Sequence, residues 1–227
     1  MSYAPKLRVI DVKKVVLAIV ITIIIIATAL YLTLTHIQTS IPAKIPKVEG
    51  KKVLIVLFEG YQPKEYQPVR EVLERAGATI DVLAMNKTID IPYRYYIIDI
   101  EDKLSELATK YDAIVIIGGP GVYVRVVGKV PEPGLPHLEK LCRLFHEKGK
   151  VVAAICAAPA ILAKAGILKG LRATCYPDPA LVKILREGGA EYIEKAVIVD
   201  DNVVTAWGPP VAKDFVIKIC EVLSSKK

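Results

Sequence analysis

Residues 151–162 read VVAAICAAPAIL, and the fold is decided around this stretch. The apolar run Val151–Ile155 has the length and composition of a strand that is covered on both faces. A helical pattern follows at once over 157–165, and Cys156 stands at the junction. Sites in open parallel sheets lie at the carboxyl ends of the strands, so this cysteine is a candidate functional group.

Comparable apolar runs recur on both sides of this stretch. Further strands are predicted over 53–58, 79–84, 113–117, 172–175, 196–199 and 203–206. Helices are predicted over 64–76, 101–110, 135–148, 179–186 and 210–223. Because apolar strands alternate with helices, the pattern predicts a mainly parallel sheet with helices on both faces. The Tyr-rich tract 86–99 is expected to form a hairpin or an excursion from the sheet.

A second long apolar segment lies near the N-terminus. Residues 15–34 read VVLAIVITIIIIATALYLTL, without charge, Gly or Pro. At about 1.5 Å per residue, such a helix would cross the ~30 Å hydrocarbon core of a bilayer. The alternatives are a buried core helix, which would normally carry a polar face, and a cleaved signal peptide, whose apolar region is usually shorter. We therefore predict an uncleaved transmembrane helix.

This prediction divides the chain into a tail (1–14), the transmembrane helix (15–34), a linker (35–50) and a domain (51–227). Lys and Arg are more frequent beside the helix on its N-terminal side. The positive-inside rule then places the tail in the cytoplasm and the domain outside the cell membrane. The expected location is thus the membrane, in a single pass, with the lipid bilayer as a partner.

The net charge of +7 also reflects the N-terminus, because more than half of it falls within residues 1–50. The domain is close to neutral, which provides no electrostatic case for binding nucleic acid. Asn and Gln are few while Ile and Val are abundant. That composition is common among thermophile proteins.

The chain has four cysteines, Cys142, Cys156, Cys175 and Cys220, and no C-x-x-C pair. Zinc-ribbon and thioredoxin-like proteins are therefore excluded. Cys142 and Cys220 fall at apolar helix positions, as small core residues do. A location outside the cell would permit disulfides, but the sequence does not rank the alternative pairings.

The position of Cys156 favours chemistry, although a buried structural cysteine in a tight turn is an equal alternative. A sharp strand-to-helix turn lifts a side chain out of the sheet, as in a nucleophile elbow. The free N–H groups at a helix start would stabilise a thiolate and lower the thiol pKa. Gly118-Gly119 ends another predicted strand, so the Gly119 and Ala157 amides could together form an oxyanion hole. Taken alone, a Gly-Gly pair is more often a tight turn.

The sequence contains three motifs, AIVIIGGPG at 113–121, GKVVAAICAAPAIL at 149–162 and ATCYPDPALVKIL at 173–185. Together they resemble the ThiJ/PfpI superfamily, which is similar to class I glutamine amidotransferases. The resemblance extends over about 51–223. It implies a flavodoxin-like three-layer sandwich, an assembly of two or more copies, and Cys156 as the reactive thiol.

The same resemblance implies an acidic residue at the start of the first domain helix, and Glu65 holds the matching position. This carboxyl would hydrogen-bond the thiol and relay a proton. Glu59 also stands at a strand end, and physical arguments alone do not choose between the two. The alternative for Glu65 is a solvated glutamate that interacts with the helix dipole.

The sequence departs from the superfamily pattern where histidines are expected. Ala157 occupies the position of the protease-like histidine, Tyr176 that of the deglycase-like histidine, and Ala158 replaces a glycine. His36 and His146 are expected away from the site, which leaves His137 as a weak candidate. Without a histidine base, amide hydrolysis of the cysteine-protease kind is disfavoured, whereas aldehyde chemistry or thiol oxidation needs only an acidic thiol.

These observations predict a membrane-anchored cysteine hydrolase or carbonyl-processing enzyme, deglycase-like or glyoxalase-like. Its substrate would be a small carbonyl compound or a peptide, and it would need no metal and no organic cofactor. The catalytic residues would be Cys156 and Glu65, and the pocket would include Glu59, Gly118, Tyr176 and His137. The alternative is a ligand-binding or redox- and stress-sensing module with an oxidisable cysteine. A glutaminase would require a later His-x-Glu pair, which the sequence lacks.

Overall fold

The computed structural model describes residues 12–39 and 45–226. The segment before residue 45 forms a unit of its own, with helix α1 over Val12–Thr39. The side chains described in α1 are those of residues 13 and 19–31. Within the described residues no helix is long and apolar enough to cross a membrane. The structure therefore does not support the transmembrane helix predicted over 15–34.

Helix α1 ends at Thr39 and so covers the start of the segment predicted as a linker, 35–50. Most of the predicted tail, residues 1–11, lies outside the described residues.

The second unit begins at Ile45 and alternates strands with helices. The strands are β1 Lys52–Leu57, β2 Thr79–Ala84, β3 Tyr95–Tyr96, β4 Ala113–Ile116, β5 Val151–Ile155, β6 Arg172–Ala173, β7 Glu191–Tyr192, β8 Val197–Asp200 and β9 Val203–Ala206. The α-helices are α2 Pro63–Ala76, α3 Leu104–Lys110, α4 Pro120–Val126, α5 Leu135–Glu147, α6 Pro159–Lys164, α7 Pro179–Glu187 and α8 Ala212–Ser225. Two 3₁₀ helices cover Ile97–Lys103 and Pro209–Val211.

Seven of the described strands form one sheet in the order β3-β2-β1-β4-β5-β9-β8. Every pair in this sheet is parallel except β8 with β9. Strands β6 and β7 form a separate two-stranded parallel sheet. The predicted mainly parallel sheet is confirmed.

The sheet forms the middle of three layers, and its strands show why apolar runs are needed. Successive residues of β1 point to opposite faces. Leu54 and Val56 pack in a core beneath α3 to α7, and Val53 and Ile55 pack in a second core beneath α2 and α8. Both faces are therefore dry, which confirms the predicted three-layer sandwich.

Several segments differ from the prediction, among them β7, a strand that is not predicted, and 101–103, which belong to a 3₁₀ helix and not to α3. The tract 86–99 adds the short strand β3 beside β2 as a parallel edge strand, and so does not form a hairpin. Helix α4 follows Gly119 directly, where no helix is predicted, with Pro120 at its first turn. The fixed φ of proline suits that position, but seven residues are too few for a clear helical period.

The strand register brings three chain segments together at the carboxyl edge of the sheet. Ile116 of β4 lies beside Ala154 of β5, and Ile155 lies beside Ala206 of β9. The residues that follow these strands, including Gly118 and Cys156, therefore meet at one edge.

Candidate active site

Cys156 occupies a strained elbow between β5 and α6. Its φ is +65°, in the left-handed region, which costs a residue with a Cβ roughly 1–2 kcal/mol. Its amide donates to the Ala206 carbonyl at 2.8 Å, and its carbonyl accepts from the Tyr176 amide at 2.9 Å. The neighbouring segments thus hold the strained conformation, as expected of a nucleophile elbow.

Helix α2 delivers Glu65 to this elbow. The helix starts at Pro63, capped by the Gln62 side chain, so Glu65 falls in its first turn. The carboxyl is fully buried and its Oε2 accepts from the Gly118 amide at 3.0 Å. Cys156 is its other hydrogen-bonding neighbour, while Oε1 has no partner of regular geometry among the described residues. The structure thus brings together Glu65, Gly118 and Cys156.

Two backbone amides point at the sulfur. The N–H groups of Gly119 and Ala157 lie near enough to Cys156 to favour its thiolate. Gly119 has a φ of +132°, and a side chain there would meet the backbone of residues 60–62. These are the two amides predicted as an oxyanion hole, and the structure places them beside the Cys156 sulfur.

The Glu65 pKa is raised from 4.5 to about 7. Burial is the main cause, since it disfavours the charged form, and the hydrogen bonds from Cys156 and Gly118 offset it only in part.

The thiol pKa of Cys156 is raised to about 12, whereas the sequence predicts a lowered one. Burial is the largest cause, followed by the Glu65 charge and its hydrogen bond; the Ala157 and Gly119 amides act in the opposite direction but are outweighed. In addition, α6 begins only at Pro159, so its first turn lies beyond the sulfur. Because the two acids are coupled, the pair retains a proton near neutral pH.

The sulfur opens into a cavity of about 540 Å³. Part of its wall is apolar, formed by Pro120, Val124, Leu181 and Pro209. The polar part comprises Gln62, Tyr123, Tyr176 and Asp178. Tyr176, a predicted pocket residue, therefore lies in the cavity and is 46% exposed.

Three other predicted pocket residues, Glu59, His137 and Gly118, do not line this cavity. Gly118 instead bonds Glu65. The Glu59 carboxylate pairs with Arg125 at 3.2 Å and borders a separate 270 Å³ pocket with Asp90. His137 faces Glu101, with 3.7 Å between Nδ1 and Oε1. The geometry thus separates Glu65 from Glu59, which the sequence alone does not.

His146 does not line the cavity either. His146 lies in the last turn of α5, and its carbonyl accepts from Asn202. The side chain of His36 lies outside the described residues.

The sequence analysis missed a polar pair in the cavity, Tyr123 and Asp178. The Tyr123 hydroxyl donates to both Asp178 oxygens at 3.4 Å. Asp178 also caps α7, and an Asp directly before Pro179 is a recognisable helix-start signal. Tyr123 lies on α4, the helix that the sequence does not reveal.

None of the four cysteines is disulfide-bonded. Cys142, Cys175 and Cys220 are buried, whereas Cys156 is partly exposed. Among the described residues, no group of three or more His, Cys, Asp or Glu side chains could hold a metal ion.

The site combines a strained cysteine with a buried carboxyl, at the carboxyl edge of a three-layer α/β sandwich. These features define the class of cysteine-centred flavodoxin-like proteins. The sequence profile of the DJ-1/PfpI family matches residues 51–222, and the chain belongs to that family.

The relatives agree over the same region. An uncharacterized protein of Methanocaldococcus jannaschii is 33% identical over 182 residues, covering 79% of this chain and 86% of the relative. The crystal structure of Drosophila melanogaster DJ-1beta superimposes with a TM-score of 0.62 at 29% identity, covering 78% of this chain and 91% of that chain.

Two relatives carry the names of enzymes. A glutathione-independent glyoxalase of Caenorhabditis elegans is 34% identical over 113 residues, covering 50% of this chain and 55% of the relative. A deglycase of Pyrococcus abyssi is 27% identical over 160 residues, covering 70% of this chain and 90% of the relative.

The contact between Gly118 and its neighbours leaves no room for a side chain. A Cβ at this position would lie 2.5 Å from the Ile155 carbonyl oxygen, 2.6 Å from the Cys156 Cβ and 3.0 Å from Glu65 Oε2. We expect Gly118→Ala to destabilise the fold by about 2 kcal/mol, measured by urea denaturation, because overpacking forces the backbone apart. Gly208→Ala is the control, since its Cβ would meet only a Tyr176 ring atom at 3.7 Å. Equal stability of the two variants would contradict the packing described here.

Proposed function

We propose that the chain is a DJ-1-like enzyme that processes small carbonyl compounds, with Cys156 as nucleophile and Glu65 as the proton-transfer group. The observation that carries the proposal is the buried Glu65 carboxyl beside a strained cysteine that lines a 540 Å³ cavity. Family membership supports a general DJ-1-like enzyme or stress function, and the glyoxalase and deglycase names of two relatives favour carbonyl chemistry.

In the first step, the sulfur adds to the carbonyl carbon. An S–C bond forms, the C=O π bond breaks, and the thiol proton passes through Glu65 to the new hydroxyl group. The product is a hemithioacetal. The amides of Gly119 and Ala157 would stabilise the negative charge on oxygen during the addition.

For a 2-oxoaldehyde, a second step completes a balanced conversion. Glu65 removes the proton from the carbon bonded to sulfur, and the adjacent carbonyl oxygen takes up a proton, which gives an enediol. Glu65 then returns a proton to the adjacent carbon while the hydroxyl on the sulfur-bearing carbon loses its proton, so that the hemithioacetal becomes a thioester. Water then cleaves the S–C bond and releases a 2-hydroxy acid. A carboxyl with a pKa of about 7 suits this exchange, because it accepts and donates protons at neutral pH.

Peptide hydrolysis is less favoured by the same geometry. It requires protonation of an amine leaving group, usually by a histidine paired with the nucleophile. None of the cavity-lining residues among those described is a histidine.

A redox- or stress-sensing function is the second candidate. Cys156 is the partly exposed cysteine while the other three are buried, so an oxidant in solution would reach it first. Its raised thiol pKa would slow that oxidation at neutral pH.

Turnover of methylglyoxal separates these two candidates. We expect wild-type protein to convert it to lactate and Cys156→Ala to be slower by about a thousandfold or more, because the nucleophile is absent. Cys220→Ala, which alters a buried cysteine on α8, is the matched control and should retain turnover. Full activity in Cys156→Ala would sink the proposal, and reversible oxidation of Cys156 without turnover would favour the sensor.

The membrane location and the homo-oligomer stay predictions, from the sequence and from the family resemblance respectively. Sedimentation of the full chain with washed membranes would test the first, and sedimentation velocity of residues 45–227 the second.

A further inference from the structure

We infer that Asp178, positioned by Tyr123, makes the Cys156 cavity selective for carbonyl substrates that carry an ammonium or guanidinium group and disfavours 2-oxo acids. That these compounds are substrates rests on the proposed function, whereas the charge preference of the cavity does not.

The first observation is the position of the carboxylate. Asp178 and Cys156 line the same cavity. Asp178 Oδ1 accepts from the amides of Ala180 at 2.9 Å and Leu181 at 3.3 Å. Oδ2 is bonded only by the Tyr123 hydroxyl among the described contacts, at 3.4 Å. This second oxygen therefore retains capacity to accept a hydrogen bond from a bound ligand.

The second observation is the charge balance of the lining. Of the residues that line the cavity in the described chain, Asp178 is the one Asp or Glu, and none is Lys or Arg. Lys129 Nζ lies 5.5 Å from the centre of the Tyr123 ring without lining the cavity, and Lys183 pairs with Glu187 at 3.7 Å. When Glu65 is ionised, it adds a second negative charge beside the sulfur.

A cavity with apolar walls and one carboxylate concentrates its field on the ligand. A cationic group would gain attraction to Asp178, and an anionic group of the same size would be repelled. A cationic and an anionic ligand a few ångströms from Asp178 differ in their interaction energy with this carboxylate. At an intermediate dielectric, this difference is large enough to change a rate about tenfold.

Charged thiosulfonates test this preference without requiring turnover. The 2-(trimethylammonium)ethyl and 2-sulfonatoethyl methanethiosulfonates both convert Cys156 to a mixed disulfide and release methanesulfinate. We expect wild-type protein to react about tenfold faster with the cationic reagent, after division by the rate ratio for free 2-mercaptoethanol. Asp178→Asn should lower the corrected ratio severalfold and leave only the contribution of the Glu65 charge, while asparagine still caps α7. Cys156→Ala identifies the signal of the other thiols.

Glu187→Gln is the matched control, because it removes an exposed negative charge from the other end of α7. It should keep the wild-type ratio. An unchanged ratio in Asp178→Asn, with the fold intact by circular dichroism, would overturn the inference. If methylglyoxal is not turned over but the ratio depends on Asp178, the proposed enzyme fails and the charge preference stands.

Discussion

Replacing Glu65 with glutamine is expected to remove turnover and, at pH 8, to make the fold more stable. Glutamine can still accept from the Gly118 amide, which bonds Glu65 Oε2 at 3.0 Å in the wild type. It cannot take up or release a proton, so we expect kcat to fall about a hundredfold or more.

The gain in stability follows from the sign of the pKa shift. The carboxyl has a pKa of about 7 in the folded protein and 4.5 as its ordinary value. Between these values the folded protein binds more protons than the unfolded chain, so the free energy of unfolding decreases as the pH rises through this window. The pKa shift corresponds to a decrease of about 3 kcal/mol at most in the free energy of unfolding. The wild type has undergone this decrease at pH 8, whereas the glutamine variant, which has no carboxyl at this position, does not undergo it.

Urea denaturation at pH 5 and pH 8 measures this effect. We expect Glu65→Gln to exceed the wild type by about 2 kcal/mol more at pH 8 than at pH 5. Glu71→Gln alters an exposed glutamate on the same helix and should show no such difference. A glutamine variant that keeps turnover, or that shows no pH-dependent gain, would contradict the proposed role of the buried carboxyl.

The second large effect concerns the backbone at Cys156. Both Cys156→Ala and Cys156→Gly should abolish turnover, but the glycine variant should be more stable than the alanine variant by about 1 kcal/mol. The reason is the φ of +65°, which glycine adopts without the penalty that a Cβ incurs.

Chemical denaturation of the two variants measures the strain at the elbow. Ala158→Gly is the control, because Ala158 has a φ of −66° in the ordinary right-handed region. There, introducing glycine should destabilise the fold. If glycine proves worse than alanine at position 156 as well, the elbow stores no strain.

Two features of this site are thus expected to lower the stability of the fold. Replacing either the buried carboxyl or the left-handed cysteine would make the fold more stable. The cysteine lines the cavity, and the carboxyl lies against the cysteine. Destabilising features that cluster at one site are typical of active sites.

Much of the architecture could be predicted because it depends on local pattern. The strands at 79–84 and 151–155 have the predicted bounds, since an apolar run between turn residues has few alternatives. Helix α2 ends as predicted at Ala76, with Gly77 in the left-handed conformation.

The site could be predicted only in part. The junction at Cys156 is visible in the sequence, and the family resemblance selects Glu65 over Glu59. Asp178 and Tyr123 could not be paired, because α4 is short and nothing local indicates that it faces the start of α7.

The sequence by itself determined the layers of the domain and the location of the cysteine, because both follow from residues that are neighbours in the chain. Only the tertiary structure decided the state of the thiol. Its pKa is set by burial and by Glu65, and both arise when distant segments pack together. Local features such as a helix start act through a few amide dipoles, and desolvation by the whole fold outweighs them.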